Sequence, residues 1–357
     1  MTLRRLWLTD FRNYATAEVC PAPAGLTVVE GGNGDGKTNL LEAIGYLATL
    51  VSFRGAPSEA LVRRGRPSAV VRAETDQRGR AVLVEAEIRP GQRDRVLVNR
   101  QRLPRSRDLL GVFRVSVFAP DDLVMVQGGP SERRRYLDDG LVALHPRHDA
   151  LRTEVDRVLR QRTALLKQCG GQLDAAASTT LDVWDDKLAR AGEALVAARQ
   201  ALVADLEPVV TKAYDQVAAT AAAVTLAYHQ SWQGPLAAAL AATRRDDVRR
   251  GTTGVGPHRD DLALHIDGLP ARTHASRGEQ RSLALALRLA VHQVVTAVAD
   301  AAPVLLLDDV FSELDAQRSE ALLAHLPSGQ ALLTTAGPLP PTAHPDARIR
   351  VRQGVVG

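Results

Sequence analysis

The sequence predicts an α/β protein whose core is a P-loop head, with a small antiparallel β subsheet and a helical insertion. A β-favouring run at residues 26–29 leads through a glycine-rich loop into helical apolar spacing from Leu40 to Leu47. A second apolar run, at residues 303–307, ends in two carboxylates, which is typical of a buried parallel strand. The middle of the chain, from residue 121 to about 250, has helical periodicity instead. Strand, glycine loop, helix and a second buried strand together indicate the α/β class.

The glycine-rich loop has the P-loop pattern Gly-x-x-x-x-Gly-Lys-Thr, from Gly31 to Thr38. Glycines let backbone N–H groups converge on phosphate oxygens, and the following helix points the positive end of its dipole at them. Lys37 is expected to reach the β- and γ-phosphates of a nucleoside triphosphate, and the Thr38 hydroxyl to bind Mg²⁺. An ordinary glycine-rich turn before a helix would leave the match over the whole motif unexplained. The predicted nucleotide-binding residues are Gly31, Gly32, Asn33, Gly34, Asp35, Gly36, Lys37, Thr38 and Asn39.

Composition excludes several classes of protein. The chain has 357 residues, 45% of them apolar, and a formal net charge of +4. Its two cysteines, Cys20 and Cys169, argue against a disulfide framework or a zinc site and suit a reducing cytoplasm. No apolar run is expected to span a membrane, and no signal peptide is recognised in Met1–Asp10. We therefore expect a cytoplasmic protein without a membrane partner.

Arginines cluster in two segments after the P-loop helix. The first contains Arg54, Arg63, Arg64, Arg66 and Arg72, with Glu59 as its lone acid. The second, residues 89–107, contains seven arginines and a single acid, Asp94. Between the clusters, residues 70–88 alternate in the manner of strands of an antiparallel subsheet. Such clusters neutralise nucleic-acid phosphates, although the solvated surface of an Arg-rich protein also fits. The candidate DNA-contacting residues are Arg54, Arg63, Arg64, Arg66, Arg93, Arg95, Arg100 and Arg102.

Two long helices are predicted in the insertion. The first runs from about Leu151 to Cys169 and ends at Gly170–Gly171. The second runs from Leu181 to Leu202, and its apolar residues follow alternating spacings of three and four, which is a heptad seam. Helices joined by a glycine break are expected to fold back as an antiparallel hairpin. A short coiled-coil arm and a plain helical bundle both fit this pattern.

A serine motif follows a predicted strand at residues 262–266. Ser276 and Glu279 form a capping box, which by itself explains both residues. Gly278 and Gln280 are less well explained by capping, because glycine costs about 1 kcal/mol inside a helix. A serine and a glycine at a helix N-terminus can also receive a phosphate.

Two carboxylates, Asp308 and Asp309, end the apolar strand. Ligands bind at the carboxyl ends of parallel strands. Asp308 is therefore expected to hold Mg²⁺ opposite Thr38, and Asp309 to orient or deprotonate the attacking water. Lys37, Asp308 and Asp309 are the predicted catalytic residues. The Pro-rich tail after Gly337 is expected to be a surface segment.

The order of these motifs resembles an ABC-type ATPase head, and the wider set resembles the RecF family of DNA repair proteins. The segments that carry this resemblance are 11–14 (Phe-Arg-Asn-Tyr), 32–42, 118–123 (Phe-Ala-Pro-Asp-Asp-Leu), 133–138, 256–261 (Gly-Pro-His-Arg-Asp-Asp) and 305–315. The resemblance implies a head formed by residues 1–120 and 251–357, interrupted by a helical insertion at 121–250.

The resemblance also implies a function. Two heads would sandwich two ATP molecules, each P-loop facing Ser276, Gly278 and Gln280 of the other copy. Ser276, Arg277, Gly278 and Asp315 would lie at this interface. The ATP-dependent homodimer would bind double-stranded DNA and single-strand/double-strand junctions, with a slow, DNA-stimulated ATPase. It would act with RecR and RecO to place the RecA recombinase at gaps.

Three positions depart from the ABC pattern. Asp309 stands where many ABC ATPases carry a catalytic glutamate, and its shorter arm fits slow turnover. Thr334 and Thr335 stand where a switch histidine is expected, and His344, in the Pro-rich tail, is a poor substitute. The nearest candidate for the Q-loop glutamine is Gln127.

Three other functions were weighed against this one. A transporter's nucleotide-binding subunit is disfavoured by the basic subsheet and the helical insertion. A long-armed, Rad50-like ATPase is disfavoured by the short helices and by the lack of zinc-hook cysteines. A binding module with a relic P-loop is disfavoured by the intact set Lys37, Thr38 and Asp308.

Overall fold

The computed structural model describes residues 1–218, 221–299, 301–312 and 314–357. Two compact units are distinguished within it. The head unit comprises Met1–Leu123, Val209–Ala222 and Ser276–Gly357, and the helical unit comprises Val124–Pro208 and Ala223–Ala275. Glu313, part of one motif that resembles the RecF family, lies outside the described residues.

A six-stranded, mainly parallel sheet forms the centre of the head unit. Its strands are β3 (Gly25–Glu30), β8 (Val115–Phe118), β12 (Val304–Leu307), β13 (Gln330–Thr335), β14 (Ala347–Arg352) and β15 (Val355–Val356). Their order is β15-β14-β3-β13-β12-β8, and only β15 is antiparallel to its neighbour. Every residue of β12 and β13 is buried, which accounts for the continuous apolar sequence of β12, while β13 also buries the polar residues Gln330, Thr334 and Thr335.

The second sheet of the head unit is antiparallel. Its strands are β1 (Thr2–Phe11), β2 (Tyr14–Val19), β4 (Ala69–Gln77), β5 (Arg80–Ile88), β6 (Arg95–Val98) and β7 (Gln101–Arg102), in the order β2-β1-β4-β5-β6-β7. The predicted subsheet is therefore larger than residues 70–88, because the N-terminal hairpin pairs with β4. One face of this sheet is buried with alternating apolar residues, as the period of two requires.

Helix α1 (Lys37–Thr49) lies between the two sheets. It contacts β1, β4 and β5 of the antiparallel sheet and β8 and β13 of the parallel sheet. The buried side chains of Leu40, Leu41, Ile44 and Leu47 join both sheets in one hydrophobic core. The helix that starts at the P-loop is therefore the central core element of the head unit. The short helix α2 (Ser58–Leu61) follows it.

Two further helices complete the head unit, α9 (Arg277–Ala299) and α10 (Ala316–Ala324). By length and composition alone, α9 is the one helix among the described residues that is apolar enough to cross a membrane. This run was not identified from the sequence. Its apolar residues are mostly buried against the rest of the unit, and it contacts β8. A core helix has the same composition.

The helical unit contains six helices and a small antiparallel sheet among its described residues. These are α3 (Val124–Gln127), α4 (Pro130–Leu144), α5 (His148–Gln168), α6 (Ala175–Ala218), β9 (Val224–His229), α7 (Leu236–Arg250), β10 (Asp261–Ile266), β11 (Leu269–Pro270) and α8 (Ala271–His274). Helix α6 continues through Pro208 to Ala218, so it extends well past the predicted end at Leu202 and its last turns belong to the head unit.

The predicted helix pair is antiparallel and forms part of a bundle. Arg162 of α5 donates to Asp185 of α6 at 2.6 Å, and Leu166 and Leu181 share one buried cluster. Arg199, further along α6, donates to Asp138 of α4 at 2.8 Å. The leucines spaced by seven residues, Leu181, Leu188, Leu195 and Leu202, are all buried. Since α6 contacts α4 as well as α5, the helical-bundle alternative applies.

Two of the predicted domain boundaries differ from the units. Residues 251–275 were expected in the head, but they lie in the helical unit because β10 pairs with β9 from Asp261↔His229 to Ile266↔Val224. Residues 209–222 were expected in the insertion, but they belong to the head unit.

The tail after Gly337 was expected at the surface, but β14 pairs with the P-loop strand β3 and buries Ile349 and Val351.

Candidate functional site

The P-loop connects the buried strand β3 to the N-terminus of α1. Gly34 and Gly36 have φ values of 86° and 118°, which favour glycine. A Cβ on Gly36 would lie 2.7 Å from Asn13 Nδ2, so the close approach of that side chain also requires glycine. The loop is therefore shaped by its glycines and by the turn that carries Asn13.

The N-terminus of α1 is open. Among the described residues, no side chain accepts a hydrogen bond from the first turn of α1, whose first N–H groups have no partner within the helix. Lys37 is 7% exposed, and its Nζ donates to the carbonyl oxygens of Gly31 and Gly32, both at 2.9 Å. A buried ammonium across a glycine loop, beside free N–H groups, suits a phosphate chain.

Thr38 and Asp308 meet at the carboxyl end of β12. Thr38 Oγ1 donates to Asp308 Oδ1 at 2.8 Å, and Thr334 Oγ1 donates to the same oxygen at 2.8 Å. Asp308 is 5% exposed, and burial raises the pKa of its carboxyl, while the two threonine hydroxyls lower it. A hydroxyl and a carboxylate oxygen this close are the ligands that a hard cation such as Mg²⁺ prefers.

Asp309 is held by its backbone. Its N–H donates to Thr334 Oγ1 at 2.9 Å, its carbonyl accepts from Ser312 N–H at 3.1 Å, and its φ is 47°. This left-handed conformation is uncommon for a non-glycine residue and is frequent at functional sites. Thr334 thus bonds to the Asp308 carboxylate and to the Asp309 backbone N–H, at the position where a switch histidine is expected. His344 is exposed in the tail.

The Asp35 carboxylate accepts hydrogen bonds from two backbone N–H groups. Its Oδ2 accepts from Gly32 N–H at 2.7 Å, and its Oδ1 accepts from Gln353 N–H at 3.1 Å. Asn13 Nδ2 donates to the Asp35 carbonyl at 2.8 Å. The backbone hydrogen bonds from Gln353 and Gly32 lower the pKa of Asp35. Sequence reasoning did not identify Gln353.

A buried carboxylate braces α1 one turn after the P-loop. Glu42 is fully buried and receives two hydrogen bonds of 2.7 Å from Arg12 and one of 2.5 Å from Ser52. Arg54 lies 3.9 Å from the same carboxylate and donates to Asn39 Oδ1 at 3.3 Å. Arg54, predicted as a DNA contact, therefore lies beside the P-loop residue Asn39.

Gly278 and Asp315 are brought together by Arg318, a residue that the predicted motif does not include. The capping box is present: Ser276 N–H donates to Glu279 at 2.7 Å, and Glu279 N–H donates to Ser276 Oγ at 3.3 Å. Arg318 packs against Gly278, where a Cβ would lie 3.0 Å from its Nη1, and it forms an ion pair with Asp315. Asp315 also caps α10 by accepting from Arg318 N–H at 2.8 Å.

Gln280 does not share the exposed surface of this motif. Ser276 and Arg277 are exposed, whereas Gln280 is 6% exposed and lies in the core of its own head unit. The contact of Gln280 with a partner's nucleotide stays a prediction. Its burial places it on the inward side of α9, with the apolar residues that follow it.

The predicted basic residues fall into two groups. Arg63 and Arg66 face Asp10, at 2.7 Å and 3.4 Å, while Arg64 beside them is exposed. The second group surrounds the β6–β7 hairpin, where four arginines are exposed: Arg93, Arg95, Arg100 and Arg102. The acid of that segment, Asp94, accepts a hydrogen bond from Tyr46 of α1.

Two motifs of the helical unit meet each other. Arg133 donates to both carboxylate oxygens of Asp261, at 2.7 Å and 2.9 Å, and Arg134 donates to the Asp260 carbonyl at 2.7 Å. The Arg133–Asp261 ion pair and the hydrogen bond from Arg134 hold α4 against the start of β10. Gln127, the candidate Q-loop residue, is an exposed residue of α3 in this unit.

Comparison of the sequence with known proteins identifies a family. Residues 2–334 match the family described as RecF/RecN/SMC N terminal domain. The DNA replication and repair protein RecF of Frankia alni is 47% identical over 354 residues, covering 94% of this chain and 93% of that protein. The RecF protein of Streptomyces avermitilis is 45% identical over 353 residues, with the same coverage.

Solved structures support the fold. The structure of the recombination mediator protein RecF-ATP in the RecFOR pathway superposes with a TM-score of 0.91 at 27% identity, covering all of this chain and 97% of that one. An SMC head domain from Pyrococcus furiosus gives a TM-score of 0.58 at 16% identity over 99% of this chain and 95% of that one, a likeness of fold alone. The predicted class, an ABC-type ATPase head with an antiparallel subsheet and a helical insertion, is confirmed. The chain belongs to the RecF family of DNA replication and repair proteins.

Proposed function

We propose that this chain is an ATP-dependent DNA-binding clamp of recombinational repair. It binds double-stranded DNA and single-strand/double-strand junctions as an ATP-induced homodimer, and it hydrolyses ATP slowly, with weak stimulation by DNA. With RecR and RecO it helps to place the RecA recombinase at gaps. The observation that carries this proposal is the Thr38–Asp308 pair beside the uncapped N-terminus of α1.

The P-loop supplies the groups that an ATP phosphate chain needs. The backbone N–H groups at the start of α1 and the Lys37 ammonium would hold the phosphate oxygens. Lys37 would exchange its hydrogen bonds to the Gly31 and Gly32 carbonyls for bonds to phosphate. These replacements keep the buried ammonium paired, which its desolvation requires.

Thr38 Oγ1 and Asp308 are the residues that would hold Mg²⁺. A magnesium ion bound with the nucleotide neutralises negative charge that develops on the phosphates. Asp308 is buried with a raised pKa, so a cation nearby would stabilise its ionised form. Asp309, with its backbone fixed by Thr334, would orient or deprotonate the attacking water.

The surface formed by Ser276, Arg277, Gly278 and Asp315 is our proposed dimer interface. Arg318 holds Asp315 and Gly278 together, so the motif before α9 and the loop before α10 form one patch. The Ser276 N-terminus of α9 would contribute N–H groups and a hydroxyl to a nucleotide on the partner's P-loop. The ATP in the solved RecF structure is consistent with such a site.

The exposed arginines of the β6–β7 hairpin are the proposed DNA surface. Four exposed guanidinium groups on and beside one hairpin suit the phosphate backbone, and contacts of this type give binding independent of sequence. The RecFOR context of the solved structures supports RecR and RecO as partners. A DNA repair function is consistent with a cytoplasmic, nucleoid-associated protein.

Fluorescence anisotropy of a labelled gapped duplex tests this function. We expect the dissociation constant to fall by at least about tenfold when ATP–Mg²⁺ is added. Lys37→Met should abolish both ATP binding and this gain, whereas Lys212→Met, which removes an exposed lysine of α6, should behave as the wild type. Equal DNA affinity with and without ATP–Mg²⁺ would contradict the proposal.

A further inference from the structure

The turn between β14 and β15 lies against the P-loop. Gln353 and Gly354 form a two-residue hairpin turn with φ values of 49° and 77°, as in a type I′ turn. Both of their N–H groups bond to one residue: Gln353 N–H donates to Asp35 Oδ1 at 3.1 Å, and Gly354 N–H donates to the Asp35 carbonyl at 2.9 Å. The C-terminal turn is therefore joined to the P-loop through Asp35.

A carboxylate is an unexpected residue in a loop that binds phosphates, because like charges repel. The Asp35 carboxylate avoids this conflict by accepting the N–H groups of Gly32 and Gln353. Its negative charge is thus compensated by two backbone donors, one in the loop and one in the C-terminal turn. Within the loop, the bond to Gly32 closes a short ring that fixes the positions of Asn33 and Gly34.

Asn13 completes the contact. Its Nδ2 donates to the Asp35 carbonyl at 2.8 Å, and its Oδ1 accepts from Asn39 Nδ2 at 2.8 Å. A Cβ on Gly354 would lie 2.4 Å from the Asn13 carbonyl oxygen, so this approach requires glycine. Three segments that are far apart in the sequence, at Asn13, Asp35 and Gly354, meet at the outer side of the P-loop.

We propose that Asp35 is a positioning residue through which the C-terminal turn Gln353–Gly354 holds the P-loop in its phosphate-binding shape before nucleotide arrives. The ligand, a nucleoside triphosphate, rests on the proposed function. A preformed loop binds more tightly because the cost of ordering it is paid in folding and not in binding. The turn Gln353–Gly354 accordingly supports the nucleotide site, although neither residue belongs to a nucleotide-binding motif.

The chain contains a matched control for this turn. Arg78 and Gly79 form the two-residue turn between β4 and β5, with φ values of 54° and 81°. Asp76 accepts the Gly79 N–H at 2.8 Å, as Asp35 accepts the Gln353 N–H. Gly79→Ala and Asp76→Ala therefore reproduce the chemical changes of Gly354→Ala and Asp35→Ala at a turn of the same unit that does not contact the P-loop.

The experiment uses two measurements on the full chain. Amide hydrogen exchange at residues 31–37, without nucleotide, reports the shape of the loop itself. The dissociation constant for ATP–Mg²⁺, measured by calorimetry, reports its function. The melting temperature of each variant without nucleotide verifies folding, and Asp35→Asn, which keeps one carbonyl acceptor, substitutes for any variant that does not fold.

We expect Gly354→Ala and Asp35→Ala to speed exchange at residues 31–37 and to raise the dissociation constant by about tenfold each. Asp35→Asn should recover part of this loss, and the two control variants should stay within about twofold of wild type. Unchanged exchange in Gly354→Ala would overturn the proposal, even if Asp35→Ala weakens binding. A wild-type chain that binds no ATP would refute the proposed function, while the exchange data would still decide the role of the turn.

Discussion

Thr38 Oγ1 donates a hydrogen bond of 2.8 Å to Oδ1 of Asp308, and this bond joins residues that are 270 positions apart. It connects the start of α1 to the end of β12 across the parallel sheet. Thr334, at the end of the intervening strand β13, donates to the same oxygen. The carboxyl ends of three strands therefore contribute to one polar site beside the P-loop, as expected for an α/β sheet that binds a nucleotide.

Asp309→Asn should stop hydrolysis without stopping ATP binding. The amide cannot accept a proton from water, so we expect the turnover number to fall by at least about 100-fold. The ATP dimer should consequently remain on DNA for longer. Steady-state phosphate release and dissociation of labelled DNA measure the two effects.

Asp309→Glu is the matched control, because it restores a carboxylate on a longer arm. It should hydrolyse ATP at least as fast as the wild type. Equal turnover in the wild type and Asp309→Asn would exclude Asp309 from the chemical step.

Ser276→Arg should bind ATP as a monomer and fail to dimerise. The long cationic side chain would occupy the exposed patch where the partner's nucleotide is proposed to lie. Ser276→Ala removes only the cap of α9, at a cost of about 1 kcal/mol in stability, and should still dimerise. Sedimentation of both variants with ATP–Mg²⁺ distinguishes a blocked interface from a lost cap; dimers of Ser276→Arg would refute the interface.

Replacing Arg93, Arg95, Arg100 and Arg102 with alanine should weaken DNA binding uniformly across sequences. Each lost phosphate contact should reduce the slope of log affinity against log salt by about 0.9 on duplex DNA. The control variant replaces four exposed arginines of the helical unit, Arg190, Arg245, Arg249 and Arg250, and changes net charge equally. Affinity is measured by anisotropy at several salt concentrations, and an equal loss in both variants would point to net charge and not to the hairpin.

Acid should destabilise the head unit through His292. This side chain is 2% exposed, Nδ1 lies 3.0 Å from Ser116 Oγ, and burial lowers its pKa to about 4. The unfolded chain binds this proton near pH 6.5 and the folded chain near pH 4, so stability is complete above pH 6.5 and falls as the pH drops between these values. The loss approaches about 3 kcal/mol.

His292→Gln removes the proton-binding group and keeps a hydrogen-bonding side chain. Its melting temperature should therefore depend less on pH between 6.5 and 4 than that of the wild type. His344→Gln, at an exposed position, should follow the wild type. Parallel curves for wild type and His292→Gln would show that another group controls the acid response.

Local sequence patterns predicted the elements whose residues are neighbours in the chain. The Gly31–Thr38 motif, the α1 apolar face and the run ending at Asp308 have strong local signals, and all three form as expected. The Asp35–Gln353 bond and the Arg318–Gly278 contact have no such signal, because each joins residues that only the tertiary fold brings together. Sequence spacing therefore predicted the strand, loop and helix of the P-loop region but not the long-range contacts that hold them.

Domain boundaries were harder to predict for the same reason. The strand β10 has an ordinary alternating pattern, which does not specify its partner, and pairing with β9 assigns it to the helical unit. The heptad pattern defined the second helix only as far as Leu202, yet α6 continues through Pro208 to Ala218. The strand β14 follows a Pro-rich stretch, and only its pairing with β3 distinguishes it from a surface tail.

Sedimentation velocity tests the central claim, that ATP assembles two copies of this chain into a DNA-binding dimer. The protein is measured alone, with ATP–Mg²⁺, and with ATP–Mg²⁺ plus a gapped duplex, with Lys37→Met in parallel. We predict a monomer that becomes a dimer with ATP–Mg²⁺ and a larger species when DNA is added, while Lys37→Met remains monomeric throughout. A wild-type chain that stays monomeric under all three conditions would contradict the claim.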